Sequence, residues 1–156
     1  MIALGSTVKD MISGFEGVAI ARSEWLYGCN RIIVESKTLK DGKPTDGQWF
    51  DEQRIKTIET DTICCDEPKK CTVKLGNKVR DTLSGYEGMA VAKTVWASGN
   101  VTISVEPTEL QENGQPIASQ AFDVHRLVIT SEPAIPVSEE SEAPTGGPQN
   151  DPCQAR

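Results

Sequence analysis

The chain contains the same motif twice. Residues 4–21 (LGSTVKDMISGFEGVAIA) return with substitutions as residues 75–92 (LGNKVRDTLSGYEGMAVA). Self-similarity of this kind decides the fold class before any other feature, because each copy must form one structural unit. The correspondence continues at the same spacing through Trp25/Trp96, Gly28/Gly99, Ile32/Ile103 and Val34/Val105. After a one-residue slip it resumes at Gly42/Gly114, Phe50/Phe122, Asp51/Asp123 and Arg54/Arg126. The sequence therefore predicts two tandem copies of one small domain.

Each copy has about 55 residues, which is near the lower limit for a self-supporting core. We expect each repeat to depend on its sibling or on a partner for stability. Short alternating segments separated by glycine-rich turns predict strands rather than helices. In the first copy we predict them at residues 7–12, 17–26, 31–35, 49–51 and 54–58, with a loop at 40–44. Five short antiparallel strands predict an all-β fold of two small SH3-like barrels, since near-closure hides strand edges.

The predicted boundaries follow the repeat. Residues 1–59 form the first SH3-like repeat, 60–73 a cysteine-containing linker, 74–131 the second repeat and 132–156 an extended tail. The tail is rich in Pro, Ser, Glu and Gly, so it cannot bury enough apolar surface to offset its chain entropy. We expect a partner surface to order it.

Charge and termini narrow the function classes. The net charge of -7 argues against nucleic-acid binding, because Lys and Arg supply most of the non-specific affinity for phosphate. The first residues enter the repeat directly, without a basic region or a long apolar run, so we expect no leader and no membrane span. The five cysteines are odd in number and irregularly spaced, which favours reduced thiols in a cytoplasm.

Residues shared by the copies are interpreted as structural. Ile32 and Val34 lie on one pleat face and are predicted to be core residues. Ala19 and Ala21 suggest a strand that passes close to another backbone. Gly14 and Gly17 are expected to permit positive φ in the turn between the first two strands. Asp10 and Arg54, repeated as Asp81 and Arg126, are expected to pair; as an exposed ion pair they would contribute only about 0–1 kcal/mol.

Residues that differ between the copies point to function. Tyr27, Cys29, Arg31 and Trp49 become Ser98, Asn100, Thr102 and Ala121 in the second copy. Cys29 and Arg31 alternate with core positions, and Trp49 precedes the core-facing Phe50, so these side chains should point outward. Exposed Tyr, Arg and Trp are typical of interface hot spots. The first repeat is thus predicted to present a partner-binding surface; the alternative is that Trp49 packs against the sibling repeat or the linker.

No pattern predicts catalysis, a metal site or a cofactor. His125 is the sole histidine, and its counterpart in the first repeat is Gln53. Because no nucleophile or acid is paired with it in the sequence, it does not predict a catalytic relay. Cys64, Cys65 and Cys71 lack the paired spacing of a structural zinc site. The glycine-rich turn at residues 13–17 lacks the Lys and Ser/Thr of a phosphate-binding loop and precedes a strand. We therefore expect a protein that is not an enzyme.

Three motifs of the repeat unit form a recognisable pattern: Val8-x-Asp10-x-x-Ser13-Gly14-Phe15-x-Gly17, Tyr27-Gly28-Cys29-x-Arg31 and Phe50-Asp51-Glu52. With these motifs the unit resembles a group of short proteins encoded by tailed bacteriophages and prophages, with KOW or SH3-like barrels and mostly unassigned function. The likeness covers both repeats. The second copy departs from the pattern at Ser98, Asn100 and Thr102.

The resemblance implies a phage context and a non-enzymatic role. The leading expectation is a virion component, such as a head decoration or minor capsid protein, that binds capsid or other virion proteins. It would be present in the host cytoplasm during assembly and then in the particle; self-association is left open. The alternative is an intracellular counter-defence protein that binds a host protein or sequesters a nucleotide signal.

Overall fold

The computed structural model describes residues 1–60 and 63–131, and this part of the chain is built from β-strands. The prediction of an all-β fold is confirmed. Two short 3-10 turns, Glu52–Arg54 and Val124–Arg126, precede the last strand of each repeat. The strands are β1 (Thr7–Asp10), β2 (Glu16–Trp25), β3 (Arg31–Glu35), β4 (Leu39–Lys40), β5 (Lys43–Pro44), β6 (Gln48–Asp51), β7 (Ile55–Glu59), β8 (Lys78–Asp81), β9 (Glu87–Trp96), β10 (Val101–Glu106), β11 (Gln120–Asp123) and β12 (Leu127–Ser131).

The two repeats have the same antiparallel pairing. In the first, β1 pairs with β2 and β7, β2 with β3, and β3 with β6. In the second, β8 pairs with β9 and β12, β9 with β10, and β10 with β11. Within the described residues each repeat thus contributes five strands to one sheet, as many as the sequence predicted. The SH3-like barrel remains our interpretation of this meander.

The predicted loop at residues 40–44 is instead the tip of a small hairpin, in which β4 pairs with β5. Its two turn residues, Asp41 and Gly42, have φ values of 51° and 73°. Positive φ at both central residues is the signature of the hairpin turn that Asp-Gly favours, because its twist matches that of the flanking strands. The prediction was wrong because Asp, Gly and Pro are common both in irregular loops and in the turns of hairpins.

Each repeat has its own hydrophobic core. The predicted core residues Ile32 and Val34 are buried, and Val73, which the sequence assigned to the linker, packs into the second core. The first cluster consists of Val8, Ala19, Ile32, Val34 and Ile55. The second consists of Val73, Val79, Ala90, Val101, Ile103, Val105, Val124 and Leu127.

The glycines of the first turn have two different roles. Gly14 has the expected positive φ of 76°. Gly17 does not; a Cβ there would lie 2.2 Å from the carbonyl oxygen of Glu35 on β3, and the same holds for Gly88 with 2.3 Å to Glu106. The expectation for Gly17 was therefore wrong: the close approach of a neighbouring strand, rather than backbone conformation, excludes a side chain there.

The predicted ion pair is present in both repeats. Arg54 contacts Asp10 through two parallel hydrogen bonds, Nε to Oδ1 at 3.0 Å and Nη2 to Oδ2 at 2.8 Å. Arg126 binds Asp81 in the same way, at 2.8 and 2.7 Å. Both carboxylates are fully buried, so the expectation of an exposed pair was wrong. Each pair ties the end of the first strand of its repeat to the start of the last.

The two repeats are joined by their long second strands. β2 pairs with β9 so that Ser23 lies opposite Thr94, which is its own counterpart in the repeat. The backbone amides of Leu26 and Ala97 donate at 2.8 Å to the carbonyls of Val91 and Ile20, again a reciprocal pair of contacts. An antiparallel ladder that matches equivalent residues has a local two-fold axis, here between Ser23 and Thr94. We call this the pseudo-two-fold axis.

The shared tryptophans and alanines are explained by that axis. Trp96 of the second repeat lies opposite Ala21 of the first, and Trp25 lies opposite Ala92. Both alanines are buried, as expected of a strand that passes close to another layer. The indole of Trp96 points to its own repeat, where Nε1 donates to Thr102 Oγ1 at 3.2 Å. The repeated Trp and Ala residues therefore face one another in the ladder that joins the repeats.

Candidate functional site

The structure brings three of the four predicted binding residues together. Tyr27, Cys29 and Arg31 line a shallow cleft of roughly 310 Å³. Trp25, Gly28 and Asp51 complete its lining. The cleft lies where the turn after β2 meets the outward face of β3 and β6. It forms because the alternation of β3 sends Arg31 away from the core that holds Ile32.

Trp49 lies outside the cleft but on the same face. It is opposite Ile33 in the β3–β6 pair, while Asp51, two residues along β6, is opposite Arg31. The Trp49 side chain is 46 % exposed and that of Tyr27 is 70 % exposed. Both residues are thus accessible to solvent, as the sequence predicted. We call Tyr27, Cys29, Arg31 and Trp49 the repeat-1 surface.

An ion pair organises the charge of this surface. Arg31 Nε donates to Asp51 Oδ1 at 3.0 Å, and both side chains are about half exposed. The pair orients the guanidinium without burying it, so further N–H donors stay available to a partner. An exposed pair of this kind adds little stability. It therefore serves mainly to place the Arg31 side chain.

Sequence reasoning missed Trp25 and Asp51 as parts of the site. Both are repeated, as Trp96 and Asp123, and were therefore assigned to the fold. The sequence did contain a signal for Asp51. It is two residues from Trp49 on the same predicted strand, and such residues lie on the same face of a sheet.

The same place in the second repeat is covered by the linker. The backbone amides of Asp66 and Lys69 donate to the carbonyls of Ala97 and Gly99 at 3.0 and 2.8 Å. Gly99 is buried, whereas its counterpart Gly28 is exposed. The two repeats thus differ in accessibility as well as in residue type.

Hydrogen bonds between polar side chains surround the covered turn of the second repeat. Lys69 Nζ donates to Asn100 Oδ1 at 3.0 Å, and Trp96 Nε1 donates to Thr102 Oγ1 at 3.2 Å. The pKa of the Asp123 carboxyl is lowered, first by the hydrogen bond from the His125 backbone amide, and further by Asn100 and Lys69. His125 is thus positioned by its backbone, and its side chain is exposed.

The strongest electrostatic perturbations lie away from this surface. Hydrogen bonds from Arg54 and then from Ser13 hold the pKa of the Asp10 carboxyl well below its usual range, against the opposing effect of burial. Arg126 and Ser84 do the same for Asp81. Both repeats carry this arrangement, in which the arginine before the last strand holds the carboxylate at the end of the first strand.

Among the described residues no group of three or more His, Cys, Asp or Glu side chains is arranged to hold a metal ion. In the same part of the chain no helix is long and apolar enough to cross a bilayer. The chain matches no protein-family model, no curated protein and no solved structure.

Proposed function

We propose that this chain is a non-enzymatic binding protein of a tailed bacteriophage. It holds capsid or other virion proteins through the repeat-1 surface and is carried in the particle as a head decoration or minor capsid protein. The single observation that supports binding is the contrast between the copies. The first repeat exposes Tyr27, Cys29, Arg31 and Trp49, whereas the second has small polar or alanine side chains there.

The residue types support a protein partner. Tyr and Trp provide large rigid contact areas, and Arg adds directional hydrogen bonds; together they dominate the energetics of protein interfaces. Asp51 already presents the Arg31 guanidinium in one orientation. A partner that covers Trp49 and Tyr27 would remove apolar area from water, at about 25 cal/mol per Å².

The second repeat supplies a matched variant for the test. Tyr27→Ser, Cys29→Asn, Arg31→Thr and Trp49→Ala, made together, give the first repeat the residues that the second carries on the same fold. We expect the variant to keep its thermal unfolding profile and to lose retention in purified particles by roughly tenfold or more. The measurement is quantitative mass spectrometry of particles carrying the wild-type or the variant chain.

Two results would contradict the proposal. Absence of the wild-type chain from purified particles would exclude a virion component. Loss of folding in the variant, in place of loss of retention, would show that the four residues support the fold instead of a partner. Static light scattering on the purified chain would separately show whether the partner is a second copy.

A second candidate is an intracellular counter-defence protein that sequesters a nucleotide signal. The observation that favours it is the cleft, where Trp25, Tyr27 and Arg31 could stack on and pair with a small anion. The Arg31–Asp51 pair weighs against it, because the carboxylate already offsets the cation. Mass spectrometry of small molecules released from the chain purified from infected cells distinguishes the two: a retained nucleotide would support the second candidate.

A further inference from the structure

The linker shows how a segment of this chain lies on the turn after a long second strand. Residues 66–69 run along the turn 97–99 of the second repeat, with the two backbone hydrogen bonds given above. The contact is close: a Cβ at Gly99 would lie 2.6 Å from the carbonyl oxygen of Glu67. The turn beneath is closed, since Gly99 N donates to Trp96 O at 2.9 Å.

The equivalent turn of the first repeat, residues 26–28, has no such cover among the described residues. No described atom lies within 4 Å of a Cβ built on Gly28. The carbonyls of Leu26 and Gly28, counterparts of the two acceptors used by the linker, receive no hydrogen bond from the described part of the chain. The backbone of the turn also differs, with φ of 115° at Gly28 against 73° at Gly99.

The pseudo-two-fold axis relates the routes by which the chain leaves each repeat. After the first repeat, Ile63 N donates to the carbonyl of Gly5 at 3.1 Å, and three residues later the chain reaches the turn of the second repeat. The pseudo-two-fold axis exchanges the two repeats. Applied to this route, it gives a chain that leaves the second repeat, passes Gly76 and reaches the turn of the first repeat. Gly5 and Gly76 have matching φ values of 82° and 87°.

The tail aligns with the linker when the repeat is continued along the sequence. Continuing the repeat beyond Arg54/Arg126 aligns Ile63 with Ile135, Glu67 with Glu139 and Lys69 with Ser141. We propose that tail residues 138–141 lie along the turn 26–28 of the same molecule, as residues 66–69 lie along the turn 97–99.

The positive charge lies on different partners at the two turns: on the docked segment in the second repeat and on the site itself in the first. In the second repeat Lys69 of the docked segment helps to lower the pKa of Asp123, and the position equivalent to Arg31 is the neutral Thr102. In the first repeat the cation beside Asp51 is Arg31 of the site itself. The aligned tail segment 138–141 has no Lys or Arg and contains Glu139 and Glu140, and Glu142 follows it directly. An acidic segment therefore meets the repeat that has its own cation.

The short tether makes the contact feasible without high intrinsic affinity. Only residues 132–137 separate the end of β12 from the proposed docked segment, and a short covalent connection gives an effective concentration in the millimolar range. The docked tail covers Tyr27 and Cys29, so a partner at the repeat-1 surface would compete with it there. The tail contact does not depend on the proposed function, because it concerns the chain alone.

A native cysteine provides the test. Cys29 is the counterpart of Asn100, which follows the carbonyl that receives the Lys69 amide, and Ser141 is the counterpart of Lys69. In the full chain carrying Ser141→Cys, oxidised glutathione should produce a disulfide between Cys29 and residue 141. We expect its yield, measured by peptide mapping without reduction, to exceed that of the matched control Thr145→Cys by roughly tenfold. Replacing Glu139, Glu140 and Glu142 by Gln should lower the yield.

Equal yields from the two cysteine variants would overturn the proposal, since a freely moving tail brings both positions to Cys29 with similar frequency. A disulfide between two chains would also overturn it, because the tail would then dock on a second copy. Either result leaves the retention of the chain in particles, and hence the proposed function, to be decided by its own experiment.

Discussion

At the scale of single residues, the buried Asp–Arg pairs are the clearest case of a feature predicted in part. Repetition of Asp10 and Arg54 as Asp81 and Arg126 was enough to predict the pairing. Burial of the carboxylates could not be predicted, because it depends on the turn at Ser13 folding back over Asp10. There the Ser13 backbone amide donates to Asp10 Oδ2 at 2.8 Å.

Asp10→Asn and Asp81→Asn are expected to make the stability of the protein less dependent on pH. Each wild-type carboxyl has a lowered pKa in the folded state, so its contribution is fully present above the ordinary Asp pKa of about 3.9 and is lost as the pH falls below it. Urea unfolding of the wild type should therefore show a falling free energy between about pH 5 and pH 2, with a flatter profile in each variant. At neutral pH each variant should also be less stable than the wild type.

Glu16→Gln is the control for this series. Glu16 pairs with Lys9 at 3.0 Å, but both side chains are about half exposed, so we expect a change of only about 0–1 kcal/mol. If Glu16→Gln changed the pH profile as much as Asp10→Asn, the assignment of the pH dependence to the buried carboxylates would be wrong.

At the scale of elements, most strands were predictable from alternation and turn residues. β3 begins and ends where the sequence placed it, and the other main strands of the first repeat differ by one or two residues. The pairing of β2 with β9 was not predicted, because no local pattern specifies which distant strand completes a ladder. The shared Trp25 and Ala21 carried the signal, but their positions opposite Ala92 and Trp96 become evident only in the register.

Ala21→Leu and Ala92→Leu are expected to destabilise the protein by similar amounts, about 1–3 kcal/mol each, because both place extra carbons opposite a tryptophan at the contact between repeats. Ala121→Leu, on an exposed position of β11, is the matched control and should change the free energy of unfolding little. Denaturant unfolding measures all three variants. Unequal effects at Ala21 and Ala92 would argue against a symmetric contact.

At the scale of the whole molecule, the chain combines a symmetric framework with an asymmetric surface. The framework is the two five-strand meanders joined across the pseudo-two-fold axis. The surface is asymmetric because the linker covers the turn of the second repeat, while Tyr27, Cys29 and Arg31 line an open cleft on the first. Sequence comparison of the halves identified this surface correctly as outward-facing. It could not show that the second site is covered, since that depends on the path of the linker.

The symmetric framework depends most directly on the pairing of the two repeats through Ser23 and Thr94. These residues form a row without backbone hydrogen bonds, because the bonded rows are those of Leu26 with Val91 and of Ile20 with Ala97. Such rows bring opposite Cα atoms to about 4.5 Å. Nuclear magnetic resonance of the full chain should therefore show a strong contact between the Hα protons of Ser23 and Thr94, together with slow amide exchange at Leu26 and Ala97. Absence of that contact, with rapid exchange at both amides, would contradict the account.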